Sequence, residues 1–172
     1  MPTIGVDLGG TNIKAALVSG EGRILRQTGC PTALPRPPEA VCEDILRLCG
    51  ELIRQANGPV AGVGVGCPGT VDADSGMVLY ANNLGWERFP MGRFLEQRLG
   101  LPVALANDAN AAAYGEAVAG CAQNAQSAVI LTLGTGVGGG VILDGRLLTG
   151  YTGGAAEPGH IIIQQAGEPC TC

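Results

Sequence analysis

The chain has 172 residues, 46% of them hydrophobic and 15% charged, which excludes a disordered protein and suits one domain or one domain and the opening of another. A net charge of −5, a pI near 4.8 and no run of Lys or Arg argue against nucleic-acid or anionic-membrane partners. No apolar segment reaches the ~20 residues that span a bilayer, and Met1-Pro2-Thr3-Ile4 enters a strand with no basic leader, so a cytoplasmic protein is expected.

The first strand, Ile4-Gly5-Val6, runs into Asp7-Leu8-Gly9-Gly10-Thr11-Asn12-Ile13-Lys14. A second strand follows over 13–18, a turn at Ser19-Gly20-Glu21-Gly22, and a third strand over 23–28, giving an antiparallel meander. A proline-rich connection leads to Pro38, which is suited to open a helix. Val41, Ile45, Leu48, Leu52 and Ile53 recur at helical spacing through Gln55, and Asn57-Gly58-Pro59 ends the helix. Residues 60–65 read as a buried strand leading to Gly66-Cys67-Pro68-Gly69, and 77–81 as a short extended segment. A helix over 92–99 stops at Gly100, a strand covers 103–106, and the alanine-rich run 109–118 favours a helix.

Residues 127–132 start a strand that reaches Leu133-Gly134-Thr135-Gly136-Val137-Gly138-Gly139-Gly140. Val141-Ile142-Leu143 and Arg146-Leu147-Leu148 then flank an Asp144-Gly145 hairpin turn, and Ile161-Ile162-Ile163 reads as a further strand. Leu8-Gly9-Gly10-Thr11 aligns with Leu133-Gly134-Thr135-Gly136, so the meander opens twice. The expected organisation is an α/β lobe over 1–120 and the beginning of a second, duplicated lobe over 121–172. Such an order implies a mixed sheet covered by helices, with ligands beyond the carboxyl ends of its strands. Asp7, Cys67-Pro68-Gly69, Asn107-Asp108 and Gly134-Thr135 fall at those ends.

Glycine turns let backbone N–H groups approach an anion closely, because no Cβ intervenes. Two facing turns would hold a polyphosphate from both sides: Gly9, Gly10 and Thr11 in the first, Gly134, Thr135, Gly136, Gly138 and Gly139 in the second. Lys14 supplies a cation, and Asp7 is the natural partner of Mg²⁺, which prefers carboxylate and keeps several waters. Asp108 is a candidate general base for a hydroxyl proton, or the cap of the helix that follows; Asn107 would serve equally as that cap. Five scattered cysteines, Cys30, Cys42, Cys49, Cys67 and Cys121, suit reduced thiols better than a disulfide framework.

The two glycine turns and the repeated meander resemble the actin/Hsp70/sugar-kinase superfamily. Cys67-Pro68-Gly69, Asn83-Leu84-Gly85-Trp86, Asn107-Asp108-Ala109-Asn110, Glu157-Pro158-Gly159-His160 and Cys170-Thr171-Cys172 narrow the likeness to the ROK family of bacterial sugar kinases and sugar-responsive repressors, nearest its glucokinases. The resemblance implies an α/β, ribonuclease H-like (actin-like ATPase) mixed sheet with flanking helices, followed by the start of a second lobe. It implies transfer of phosphate from ATP, with Mg²⁺, to a hexose, foremost glucose to glucose 6-phosphate, Asp108 taking the 6-hydroxyl proton. Asn83, Asn107, Glu157 and His160 match residues that contact the sugar in that family. His160, Cys170 and Cys172 match three ligands of a structural Zn²⁺ whose fourth, a cysteine, would lie past residue 172. Family members continue beyond Cys-x-Cys and are commonly homodimers, so weak turnover is expected of the 172-residue chain alone. The alternatives are a kinase for fructose, mannose or an N-acetylated hexosamine, an inactive fragment, or a sugar-sensing repressor. Repressors of the family carry a DNA-reading segment before the first strand, which here begins at Thr3.

Overall fold

The computed structural model describes residues 1–134, 136–151 and 153–168. The expected meander is formed by β1 (Thr3–Leu8), β2 (Asn12–Val18) and β3 (Ile24–Pro31). After α1 (Pro38–Gln55) and β4 (Val63–Cys67) come three short strands, β5 (Thr70–Asp72), β6 (Met77–Ala81) and β7 (Trp86–Phe89). A 3-10 turn at Asn82–Leu84 separates the last two. Helix α2 (Met91–Leu99), β8 (Val103–Asn107) and α3 (Asp108–Ala119) complete the first unit. Then follow β9 (Ala128–Leu133), β10 (Val137–Leu143), β11 (Arg146–Leu147) and a 3-10 turn at Pro158–His160.

The central sheet has five strands in the order β3-β2-β1-β4-β8. Its meander half is antiparallel, while β4 joins β1 and β8 joins β4 in parallel, which is the mixed sheet of a ribonuclease H-like fold. Strand alternation sends Ile4, Val6, Leu8, Ile13, Ala15, Leu17, Val63, Val65 and Leu105 to one face. There they meet Val41, Cys42, Ile45, Leu48, Cys49 and Leu52, the buried stripe of α1. Each large side chain so buried contributes about 1.5–3 kcal/mol. On the opposite face the same alternation leaves Gly5, Asp7, Ala16, Gly64, Gly66, Ala104 and Ala106, all small apart from the one carboxylate.

Three features differ from the sequence reading. β5 and β7 pair with β6 to make a separate three-stranded sheet, where only 77–81 was expected to be extended. These strands are three to five residues long, too short for alternation to declare itself, and are fixed by burial of Val71, Val78, Trp86 and Phe89. Ile161-Ile162-Ile163 is not a strand: it follows the 3-10 turn with 66%, 85% and 95% of its surface exposed. Third, the expected glycine stretch divides, the turn ending at Gly136 and Gly138 to Gly140 lying within β10.

Those strand glycines bring the sheet β11-β10-β9 against α3. A Cβ on Gly140 would lie 2.5 Å from Ala113 Cβ, and one on Gly138 3.2 Å from Ala109 Cβ. A Cβ on Gly139 would meet Pro158 Cγ at 2.5 Å and the Ile130 carbonyl at 2.6 Å. Gly140→Val should therefore force the hairpin away from α3, lowering stability by about 1–3 kcal/mol, measured as a fall in the urea midpoint.

Candidate active site

The parallel register aligns three strand ends: Asp7 pairs with Gly66, and Gly66 with Ala106, two positions before Asp108. Asp7 and Ala106 are thus two strand spacings, about 10 Å, apart. The position between them carries no side chain. Lys14 stands opposite Asp7 on β2, yet no ion pair joins them among the described residues. Asp7, Lys14, Gly66, Asp108, Ala109 and Thr132 all line one cavity of about 780 Å³ against the small-residue face.

Asp108 is the first residue of α3, and its Oδ1 accepts the Ala109 N–H at 2.8 Å. Asp108 is exposed, although its Cα lies only 3.5 Å from where a Cβ of Gly66 would be, so α3 begins over the end of β4. Its charge is nevertheless felt below. The Cys67 thiol, fully buried at the end of β4, is pushed up to about 12, first by burial and then by the Asp108 carboxylate.

Asn107 proves to be the helix cap. Its Oδ1 accepts the Asn110 N–H at 3.0 Å, and its Nδ2 donates to the Gly69 carbonyl at 3.0 Å. Both ends of the amide are engaged, and they tie the Cys67-Pro68-Gly69 loop to the start of α3 beside Asp108. Asn83 is exposed on the 3-10 turn after β6, its Cβ 4.0 Å from where a Cβ of Gly10 would be, so it adjoins the first glycine turn. Glu157 and His160 are exposed at the turn whose Pro158 and Gly159 pack on β10. Asn83, Asn107, Glu157 and His160 do not line the 780 Å³ cavity, nor do Gly9, Gly10, Thr11, Gly134, Gly136, Gly138 and Gly139.

Both glycine turns close on themselves, the first over one more residue than the second. The Gly9 N–H donates to the Asn12 carbonyl at 3.0 Å, and the Gly134 N–H to the Gly136 carbonyl at 3.0 Å. Neither N–H is therefore available to an anion, which corrects the expectation for Gly9 and Gly134. Thr135, Cys170 and Cys172 lie outside the described residues. Among the described residues no cluster of three or more His, Cys, Asp or Glu is arranged to hold a metal.

Two residues went unnoticed in the sequence. Thr32, buried beneath the first turn, lies at the start of the proline-rich connection and belongs to no motif. Thr132 was detectable: the duplication that pairs Leu8 with Leu133 also pairs Asp7 with Thr132. The registers agree, since Asp7 faces Lys14 and Thr132 faces Gly138. A Cβ at Gly138 would come within 2.7 Å of Thr132 Oγ1, so the glycine makes room for that hydroxyl.

Asn107→Ala should cost about 1–2 kcal/mol of stability, as loss of a helix cap does, and Asn107→Asp less, since it keeps the acceptor for Asn110; chemical denaturation of both variants checks this.

The chain is similar to known proteins over nearly its whole length. The glucokinase of Halalkalibacterium halodurans is 39% identical over 175 residues, covering 98% of this chain and 52% of that protein. A crystal structure of a ROK family glucokinase from Streptomyces griseus, in complex with glucose and AMPPNP, superposes with a TM-score of 0.87 at 42% identity, covering 95% of this chain and 51% of that one. A ROK family transcriptional regulator, a homologue of the E. coli MLC protein, gives a TM-score of 0.87 at 28% identity, covering 99% of this chain and 44% of the other. The chain spans about half the length of the glucokinases it matches. The ROK family pattern matches residues 3–172, and with that match and these relatives the chain belongs to the ROK family.

Proposed function

We propose that the chain carries the catalytic carboxylate and the first phosphate-binding turn of an ATP-dependent hexose kinase, acting foremost on glucose to give glucose 6-phosphate. The observation that supports this most is the meeting of Asp7, Lys14 and Asp108 around one cavity, with Thr132 added from the second sheet. An acid chosen only to cap α3 has no need of a second carboxylate and a cation across from it; here the Asn107 side chain already caps that helix.

The sugar hydroxyl is too weak an acid to be ionised near neutrality, so a carboxylate that accepts its proton as the O–P bond forms lowers the barrier. Asp108 does this, held by its bond to the Ala109 N–H and by the Asn107 bridge beneath it. Lys14 and the backbone of the first turn offset phosphate charge, the larger part of catalysis in phosphoryl transfer. Asp7, exposed and in no ion pair among the described residues, fits Mg²⁺, which when bound would neutralise part of the phosphate charge. Asn83, Glu157 and His160 supply polar groups for sugar hydroxyls at the two turns that flank the glycine bends. A structural zinc site would be built on His160 together with Cys170 and Cys172, and the whole protein would act as a cytoplasmic homodimer.

A sugar-sensing regulator is the second reading, favoured by one observation: the regulator structure superposes as well as the glucokinase structure does. The fold is common to both readings, so chemistry at Asp108 separates them. In a coupled assay with ATP, Mg²⁺ and a panel of glucose, mannose, fructose and N-acetylmannosamine, glucose is expected to be turned over fastest. Asp108→Asn should lower kcat by about 10²- to 10⁴-fold and leave the affinity for glucose within a few-fold. An Asp108→Asn rate equal to that of the unaltered protein would remove the base assignment, and sugar binding without phosphorylation would favour the regulator.

A further inference from the structure

Beneath the first glycine turn lies Thr32, a polar residue with no exposed surface. Its hydroxyl donates to the Gly9 carbonyl at 2.6 Å, and its backbone N–H donates to the Thr11 carbonyl at 2.8 Å. The third carbonyl of the bend, that of Asn12, accepts from the Gly9 N–H at 3.0 Å. Thr32 thereby holds the Gly9 and Thr11 carbonyls from beneath, while the Asn12 carbonyl is engaged within the bend itself.

The consequence follows from the peptide unit itself. In a planar trans peptide the C=O and the following N–H point in opposite directions. Pinning the Gly9 carbonyl inward on Thr32 turns the Gly10 N–H outward, and Gly10 is exposed. A bend free to rotate would present carbonyl and N–H groups alternately; an anion is attracted to one and repelled by the other. A fixed outward N–H spares the binding event that reorientation.

We propose that Thr32 is a positioning residue for phosphate, acting through the Gly9–Gly10 peptide and touching no ligand itself. This rests on the reading of the Gly9–Thr11 turn as a phosphate cradle. Its effect is confined to the nucleotide side of the site: loss of the hydroxyl weakens phosphate binding and leaves sugar affinity alone.

The test uses Mg²⁺ and tripolyphosphate with the full chain, reading the Gly10 amide by ¹⁵N NMR and affinity by calorimetry, with thermal melting alongside. In the unaltered chain the ligand should shift the Gly10 amide. Thr32→Val, which keeps shape and backbone N–H, should bind about tenfold more weakly, the effect of one lost hydrogen bond. Thr32→Ser, which restores the donor, should bind as the unaltered chain does. If the Gly10 amide shifts but Thr32→Val binds equally well, the positioning role is overturned while the cradle stands. If no amide of the turn responds to tripolyphosphate, the cradle reading fails and the role of Thr32 with it. Should Thr32→Val not fold, Thr32→Ala decides: a roughly tenfold loss in a folded Thr32→Ala beside an unaltered Thr32→Ser supports the proposal, and unaltered affinity of Thr32→Ala overturns it.

Discussion

Parallel pairing of β1, β4 and β8 is the constraint on which the rest of the site depends. Each strand brings a different group to the same edge of the sheet, and the register between them decides how far apart those groups stand. Asp7 and Asp108 are separated in sequence by a meander, two helices and a small sheet, yet only the width of β4 lies between their strands. Because the β4 residue in that row is Gly66, no side chain stands between the strand ends, and the start of α3 comes within 3.5 Å of where its Cβ would be. A slip of one residue in β4 would turn Val65 into the gap and bury the wrong face.

The two faces of the central sheet differ in what they carry. One face packs large aliphatic side chains against α1 and carries most of the apolar burial. The other offers glycine and alanine, which take up little room and leave a cavity beside the charged strand ends. The buried cysteines belong to the first face. Cys42, Cys49 and Cys67 are pushed up to about 12, 11 and 12, chiefly by burial, so they remain neutral thiols within an apolar layer.

Much of this was legible in the sequence. The bounds of α1 follow from Pro38 and from apolar spacing through Gln55, and both hairpins follow from strand alternation around glycine turns. Asp7 and Lys14 could be singled out because the glycine turn beside them is repeated at Gly134, and Asp108 by its place at a strand end together with the likeness to the ROK family, since its residue type alone suits a helix cap equally. What was hidden depends on register rather than on pattern. Thr32 has no neighbours in sequence that mark it; only the pairing of Pro31 with Asn12 carries it beneath the turn. The dual engagement of Asn107 likewise needs the Gly69 loop folded over β8, a contact across 38 residues. The glycines at 138–140 read as one long anion loop, because a sequence does not distinguish a glycine that faces a ligand from one that admits a neighbouring helix.

The duplicated hairpins are alike in backbone and unlike in charge. Where the first sets Asp7 across from Lys14, the second sets Thr132 across from Gly138, and its bend is one residue shorter, Leu133 facing Val137 where Leu8 faces Ile13. A polyphosphate lodged between them would thus experience a polarised environment, ionic on one flank and merely dipolar on the other. The repeat thus keeps one backbone plan and changes its polarity, a carboxylate and an amine at one bend and a hydroxyl at the other.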